Sequence, residues 1–212
     1  MEGKFLCFEG CDGSGKTTAA IKLTEYLQKE GKSSIYVKHP GATPLGNKLR
    51  QIVKFDFLTP IDPLSEQLLM LADYSSFVNT LLKIKLNEKN IVVSDRSNLI
   101  SGMIYSKPAG IDTDTIIKLY DMIDIPKIDK LFIFLCPWEI AKKRISDRGE
   151  DCRIESRGEE FMKSINESYY RIDSENSIIS RQVHKMSREI IFINASKDPE
   201  EVFKMVLSHV RG

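Results

Sequence analysis

A glycine-rich segment near the start of the chain has the spacing of a phosphate-binding loop. Residues 10–17 are Gly-Cys-Asp-Gly-Ser-Gly-Lys-Thr, which matches G-x-x-x-x-G-K-[ST] between a predicted strand and a predicted helix. The glycines let successive backbone N–H groups point at phosphate oxygens, and the helix adds its positive N-terminal end. The pattern predicts that Lys16 reaches the β/γ oxygens of ATP and that Thr17 reaches its Mg²⁺. The predicted ATP contacts are Gly10, Asp12, Gly13, Ser14, Gly15, Lys16, Thr17 and Thr18.

The phosphate loop alone does not separate kinases from GTPase switches, ATPases and translocases, which share it. A GTPase needs a guanine-binding Asn-Lys-x-Asp motif, and the nearest stretch here, at 47–50, ends in Arg50. An Asp-x-x-Gly motif occurs only at 12–15, inside the loop itself. The sequence therefore favours a kinase, while a nucleotide-binding switch without transfer activity stays open.

Asp95 and Arg96 directly follow an apolar run at 91–94 that is typical of a buried strand. In an open parallel sheet, ligands bind at the carboxyl ends of the strands. Asp95 can there order a hydrated Mg²⁺, and the planar Arg96 guanidinium can bridge the donor and acceptor phosphates. The alternative is a surface ion pair that caps the strand.

Read in chain order, these motifs resemble a thymidylate kinase, and the resemblance runs from Phe5 to the C-terminal helix. It is carried by segments 8–18, 38–46, 95–96, 148–155 and 194–196. It implies a P-loop kinase that transfers the γ-phosphoryl group of MgATP to dTMP to give dTDP for dTTP synthesis, and it implies a homodimer. Another small-acceptor kinase, acting on a different nucleoside monophosphate or on a deoxynucleoside, stays open.

The resemblance also assigns residues to the acceptor. Arg50, on a helix after the Pro-Gly turn, matches the arginine that holds the acceptor phosphate, although an exposed helix arginine has the same signature. Asp12 matches a carboxylate that accepts a hydrogen bond from the 3′-hydroxyl. Ser101, Gly102 and Tyr105 match the family's S-G-x-x-[YF] segment beside the sugar, one residue farther from the preceding Asp-Arg pair than usual.

The base-binding stretch departs from the family. Its L-L-F-A-A-x-R motif aligns with residues 68–74, where Met70 replaces phenylalanine and Tyr74 replaces arginine. A methionine sulfur can contact an aromatic base, and a tyrosine can offer its hydroxyl. His39 and Ser97 are further departures near the acceptor. These departures leave the identity of the base open.

Residues 146–160 are almost all charged or small and lack apolar periodicity, which predicts a mobile surface segment that does not dock on the core. By resemblance this segment is a lid of the bacterial type, whose closure brings arginines onto the transferring phosphoryl group. The arginines concerned are Arg148 and Arg153, and Ser14 stands where some members carry one instead. A solvated charge run is the alternative.

The elements that position these residues alternate between strand and helix. Apolar runs at 5–8, 34–37, 91–93, 131–135 and 190–193 predict buried strands, and longer patterns at 16–30, 64–88, 137–148, 158–180 and 199–210 predict helices. This order predicts a three-layer α/β fold of the P-loop NTPase type, with a mostly parallel five-stranded sheet covered by helices on both faces. One domain, 1–212, is expected.

Composition limits the partners and the compartment. Lys and Arg number 31 against 30 Asp and Glu, so no strong overall field attracts nucleic acid or an anionic membrane. No apolar run approaches the roughly 18 residues of a membrane span, and no separate targeting segment is apparent. The four cysteines lack metal-type CxxC spacing. We expect reduced thiols and a cytoplasmic protein.

Overall fold

The computed structural model describes residues 2–56, 58–149, 153–174 and 176–210. In these residues five strands form one parallel sheet in the order β2-β3-β1-β4-β5. The strands are β1 Lys4–Gly10, β2 Ser34–Lys38, β3 Ile91–Asp95, β4 Ile128–Leu135 and β5 Ser187–Asn194. Each predicted apolar run lies inside one of them, so the strand predictions are confirmed.

The central strand explains why the apolar runs are continuous. β1 pairs with β3 on one side and β4 on the other, and its residues after Lys4 are buried. A strand covered on both faces has no solvent side to make polar, which removes the alternation seen in exposed sheets. The register places Phe8 opposite Asp95 and Gly10 opposite Phe134, so the strand ends that carry the predicted site meet at one edge.

Helices cover both faces of the sheet. They are α1 Lys16–Lys29, α2 Pro44–Phe55, α3 Pro63–Phe77, α4 Lys83–Asn87, α5 Asn98–Ser106, α6 Thr113–Tyr120, α7 Trp138–Arg148, α8 Glu159–Ser174, α9 Ile178–Met186 and α10 Pro199–Val210. α2 and α3 each start with a proline after a polar cap: the side chain of Thr43 accepts from Gly46 N, and that of Asp62 accepts from Leu64 N.

Two predicted helices differ from the structure in detail. The pattern at 64–88 is α3 and α4 joined by a π-helical turn, Val78–Leu82. The pattern at 158–180 is two helices, because Ser177 adopts an extended conformation and its side chain caps α9 by accepting from Ser180 N. α5 and α6 were not among the predicted helices. α5 is buried on nearly every side, so it lacks the one-sided apolar pattern of a surface helix.

The core holds three of the four cysteines. Cys7, Cys11 and Cys136 are free and buried, as expected of structural thiols, and Cys152 lies outside the described residues. Burial raises the pKa of Cys11 to about 12, so its thiol stays protonated near neutral pH. None of the helices described above is long and apolar enough to cross a bilayer.

The segment predicted as a lid is partly docked, and the expectation that it cannot pack on the core is wrong at its centre. Ile154 is only 6% exposed and belongs to the hydrophobic core. Beside it, Arg153 N donates to Lys54 O at 3.0 Å, and a short 3₁₀ turn follows at Glu155–Arg157. Ile154 alone anchors the segment to the core, and a single apolar residue produces no periodic pattern in the sequence. Residues 150–152 lie outside the described part, and the mobility of the segment stays a prediction.

Candidate active site

The phosphate loop connects β1 to α1 and needs its glycines. Gly13 and Gly15 have φ angles of 79° and 85°, which side-chain-bearing residues rarely adopt. A Cβ on Gly13 would lie 2.4 Å from Ala141 O, so the loop packs directly against α7. The loop residues from Asp12 to Thr18 line a cleft of about 460 Å³, and seven further cationic side chains line it: Lys38, Arg50, Lys54, Arg96, Arg144, Arg148 and Lys197. The cleft is suited to a polyanion.

Lys16 and Thr17 lie at the base of this cleft. Lys16 is 5% exposed, and its Nζ lies 3.2 Å from Cys11 O and 3.4 Å from Asp12 Oδ1. Thr17 Oγ1 donates to Asp95 Oδ2 at 2.5 Å, and the Tyr36 hydroxyl donates to the same oxygen at 3.2 Å. Asp95 Oδ1 is buried and has no hydrogen-bond partner among the described residues. The predicted pair Thr17 and Asp95 is therefore in contact.

Arg96 is held by two carboxylates, Glu9 and Asp12, and by a tyrosine hydroxyl from α8. Its Nη2 lies 2.5 Å from Asp12 Oδ1 and its Nη1 lies 3.5 Å from Glu9 Oε2, while Nη1 also donates to the Tyr169 hydroxyl at 3.1 Å. Its backbone φ is 84°, an unusual value for an arginine, which the surrounding contacts must maintain. Arg96 is thus a positioned group at the sheet edge, not an exposed ion pair.

Glu9 is a site residue that the sequence analysis did not single out. It is fully buried, and it accepts hydrogen bonds from Ser97 N at 2.7 Å, Ser101 Oγ at 3.0 Å and the Tyr169 hydroxyl at 2.7 Å. These bonds connect β1, α5 and α8 behind Arg96. The one signal in the sequence was an acidic residue at the end of an apolar strand, directly before the loop.

Asp12 faces both the phosphate cleft and a second, narrower pocket. Burial by itself raises the pKa of its carboxyl, but the positive charges of Arg96 and Lys16 outweigh this and hold the pKa well below the usual value. The carboxylate is therefore ionised at neutral pH, and it can accept a hydrogen bond from a ligand hydroxyl.

The narrower pocket collects most of the residues predicted for the acceptor. Its lining includes Asp12, Met70, Arg96, Ser101, Gly102 and Tyr105. Tyr105 is 8% exposed, and the Arg96 guanidinium carbon lies 5.8 Å from the centre of its ring. The one-residue insertion thus leaves Tyr105 at the pocket. Ile154 from the lid segment also lines it, so an acceptor entering here meets the docked segment.

Two predicted acceptor residues lie elsewhere. Tyr74 is fully buried, lines neither pocket, and has its hydroxyl 3.0 Å from Ser97 Oγ, so it is not placed to offer that hydroxyl to a base. Its ring packs against His39, Phe77 and Tyr120, since residue 74 lies on the inner side of α3. Arg50 lines the phosphate cleft rather than the narrower pocket, and its Nη1 donates to Pro40 O at 2.9 Å.

The structure separates the two predicted lid arginines. Arg148 lines the phosphate cleft, and its Nη2 lies 2.6 Å from Glu155 Oε1. Arg153 does not line the cleft; it lies 3.6 Å from Glu66 and donates to Thr59 O at 3.2 Å. In this arrangement Arg153 fastens the lid segment to α3, so its predicted contact with the transferring group requires a different position of the segment.

Other pocket residues that the sequence analysis missed come from α3 and α5. Asn98 lines the narrower pocket and donates from Nδ2 to Asp73 Oδ2 at 2.7 Å. Asp73 is fully buried and also accepts from Gly41 N at 3.0 Å, which anchors the Pro-Gly turn, while His39 Nδ1 lies 3.2 Å from it. Gln67 lines the same pocket. Nothing in the local sequence distinguishes these residues from ordinary helix positions.

This architecture defines a class of protein. A parallel five-stranded sheet carries a phosphate loop after its central strand, with a cationic cleft for a nucleoside triphosphate and a second pocket that shares Asp12 and Arg96 with it. Those are the features of a P-loop NTPase of the small-molecule kinase type.

Comparison with known proteins identifies the family: the chain belongs to the thymidylate kinase family, whose model matches residues 8–206. It is 31% identical to the thymidylate kinase of Dichelobacter nodosus over 99% of this chain and 98% of that protein. It is 30% identical to that of Caldicellulosiruptor saccharolyticus over 97% of this chain and 95% of that protein. It is also 30% identical to the thymidylate kinase of Thermosipho africanus, over 97% of this chain and 96% of that protein.

Proposed function

We propose that this chain transfers the γ-phosphoryl group of MgATP to dTMP and releases ADP and dTDP. The observation that carries the proposal is the wall between the two pockets. Asp12, His39, Lys54 and Arg96 line both the phosphate cleft and the narrower pocket, so a donor and an acceptor would meet across them. The names of the relatives support dTMP as the acceptor.

The transfer needs positioning and positive charge more than proton chemistry. An acceptor phosphate oxygen attacks the γ-phosphorus in line, and the bond from that phosphorus to the β-phosphate oxygen breaks as ADP leaves. A phosphate monoester is already largely ionised near pH 7, so no strong general base is required. The loop amides, Lys16 and Arg96 surround the transferring group, and Arg148 and Arg153 would join them from the lid.

Thr17 and Asp95 suit a magnesium ion bound with the nucleotide. A hydroxyl and a carboxylate lie side by side, and Asp95 Oδ1 is buried with no hydrogen-bond partner in the described part of the chain. Mg²⁺ in kinase sites takes only one or two protein oxygens, and its other ligands are phosphates and water. When bound, the ion neutralises charge on the β- and γ-phosphates. Thr17 and Asp95 would hold it.

The direct test is acceptor-dependent ADP release, measured by a coupled assay with dTMP, dAMP, thymidine or no acceptor. We expect release with dTMP to exceed the acceptor-free rate and the rates with dAMP and thymidine. Faster release with dAMP would favour another monophosphate kinase, and faster release with thymidine would favour a deoxynucleoside kinase. Release no faster than without acceptor would contradict the proposal and favour a switch.

Asp12 allows a sharper test of where the acceptor sugar lies. If its carboxylate accepts the 3′-hydroxyl, Asp12→Ala should lower kcat/KM for dTMP about ten- to a hundredfold more than for 3′-deoxy-dTMP, because a hydrogen bond to a charged group is worth roughly 1.5–3 kcal/mol. The variant also lacks the contact between Asp12 and Arg96. This loss affects the reaction with both acceptors equally, so it cancels in the comparison. An equal loss for the two acceptors would place the sugar elsewhere.

Three further features stay predictions. A homodimer could use the long α3 to α4 region, where Leu64, Leu68 and Ile84 are exposed large apolar side chains. A cytoplasmic location and a single domain with a lid at about 146–160 follow from the sequence reasoning alone. Each is compatible with the proposed reaction, which does not depend on them.

A further inference from the structure

From the structure we infer that Gln67 binds the base of the acceptor, and that this makes the site tolerant of both the 4-oxo and the 4-amino edge of a pyrimidine. The inference rests on the proposed function, and it names the group that selects the substrate. Gln67 is 4% exposed and lines the narrower pocket, and within the described residues its Oε1 is buried without a hydrogen-bond partner.

The amide oxygen of Gln67 lies beside a glycine that lines the pocket. A Cβ placed on Gly102 would lie 3.1 Å from Gln67 Oε1, so the missing side chain of a pocket-lining glycine makes room for it. Met70, three residues along α3, lies on the same helix face and lines the pocket as well. Met70 offers an apolar surface for the base, and Gln67 offers the polar group beside it.

Several other polar groups of the pocket already have partners within the protein. Arg96 and Asp12 pair with each other, Asn98 Nδ2 donates to Asp73, and Glu66 pairs with Arg157 from the lid segment. His39 Nε2 also lacks a partner in the described part of the chain. His39, however, lines the phosphate cleft too. Gln67 lines only the narrower pocket, so we assign it to the base.

A carboxamide can pair with either pyrimidine edge. A 4-oxo base presents an N3–H donor and an O4 acceptor, and a 4-amino base presents an N3 acceptor and an N4–H donor. Rotation of the Gln67 amide by half a turn exchanges its own donor and acceptor and satisfies both patterns. An arginine, which only donates, would require the 4-oxo edge. Tyr74, which aligns with the arginine of the family motif, has its hydroxyl at Ser97 and restores no such requirement.

The test compares dTMP with 5-methyl-dCMP, which differ only at the base edge. For the unmodified protein we expect kcat/KM values within about tenfold of each other, because neither edge leaves the amide unpaired. Gln67→Met keeps the side chain's length without hydrogen bonds, and it should lower kcat/KM for both acceptors by roughly tenfold, mainly through KM. Gln67→Arg should introduce a preference for dTMP over 5-methyl-dCMP of at least about tenfold in kcat/KM.

Gln51→Met is the matched control, because it makes the same substitution at an exposed glutamine of α2 that lines neither pocket. It should leave both acceptors unchanged, and thermal unfolding should show that each variant is folded. A preference of more than tenfold for dTMP in the unmodified protein would overturn the inference while leaving the proposed function intact. Unchanged KM values in folded Gln67→Met would also overturn it. Absence of dTMP phosphorylation would overturn the proposed function, and the inference with it.

Discussion

Replacing Lys16 with alanine is expected to lower turnover by at least about a hundredfold while the fold survives. Lys16 is the loop lysine, 5% exposed at the base of the cleft, and the proposed function places its charge beside the β- and γ-phosphate oxygens of ATP. Those oxygens gain charge in the transition state, so the loss should appear mainly in kcat. Steady-state kinetics with saturating dTMP and circular dichroism of the variant measure the two quantities.

Lys22→Ala provides the control for this substitution. Lys22 lies on the same helix, but its ammonium group pairs with Glu200 on α10, and it does not line the cleft. Its removal should leave turnover within about twofold, since exposed ion pairs contribute little. If the folded Lys16→Ala protein turned over at a near-normal rate, the assignment of the phosphate loop would be wrong.

Arg96→Ala is expected to lower turnover by about 10²–10³, because it removes a positioned donor that the proposed function places beside the transferring group. It should also lower the unfolding temperature. Arg96 is the cation between Asp12 and the fully buried Glu9, and removing one member of a buried charge cluster leaves its partners unpaired. Kinetics and thermal unfolding together measure the catalytic and the structural loss.

Arg96→Gly separates the guanidinium from the backbone. The φ of 84° at residue 96 is strained for alanine and easy for glycine. The glycine variant should therefore unfold at a higher temperature than the alanine variant, while both lose the same turnover. A glycine variant with near-normal turnover would show that Arg96 supports the backbone conformation and does not act on the phosphates.

Much of the fold follows from patterns within short stretches of sequence. The five strands were predictable because a parallel sheet covered on both faces requires continuous apolar runs, and the phosphate loop because its glycines must occupy fixed positions. α5 was not predictable in this way. It is surrounded by other elements, so burial removed the periodic signal that marks a helix with one solvent side.

In the candidate site, too, some features followed from the sequence and others only from the tertiary structure. The sequence by itself determined the phosphate loop, the Asp95 and Arg96 pair at the sheet edge and the family, because each depends on residue types at short, regular spacings. Only the tertiary structure decided that Glu9 supports Arg96 through Tyr169, 160 residues from Glu9 along the chain, that Tyr74 turns into the core and that Gln67 lines the narrower pocket. The physical reason is that the packing of elements distant in sequence sets the direction of a side chain and its partners. Residue spacing within a short stretch does not predict that packing.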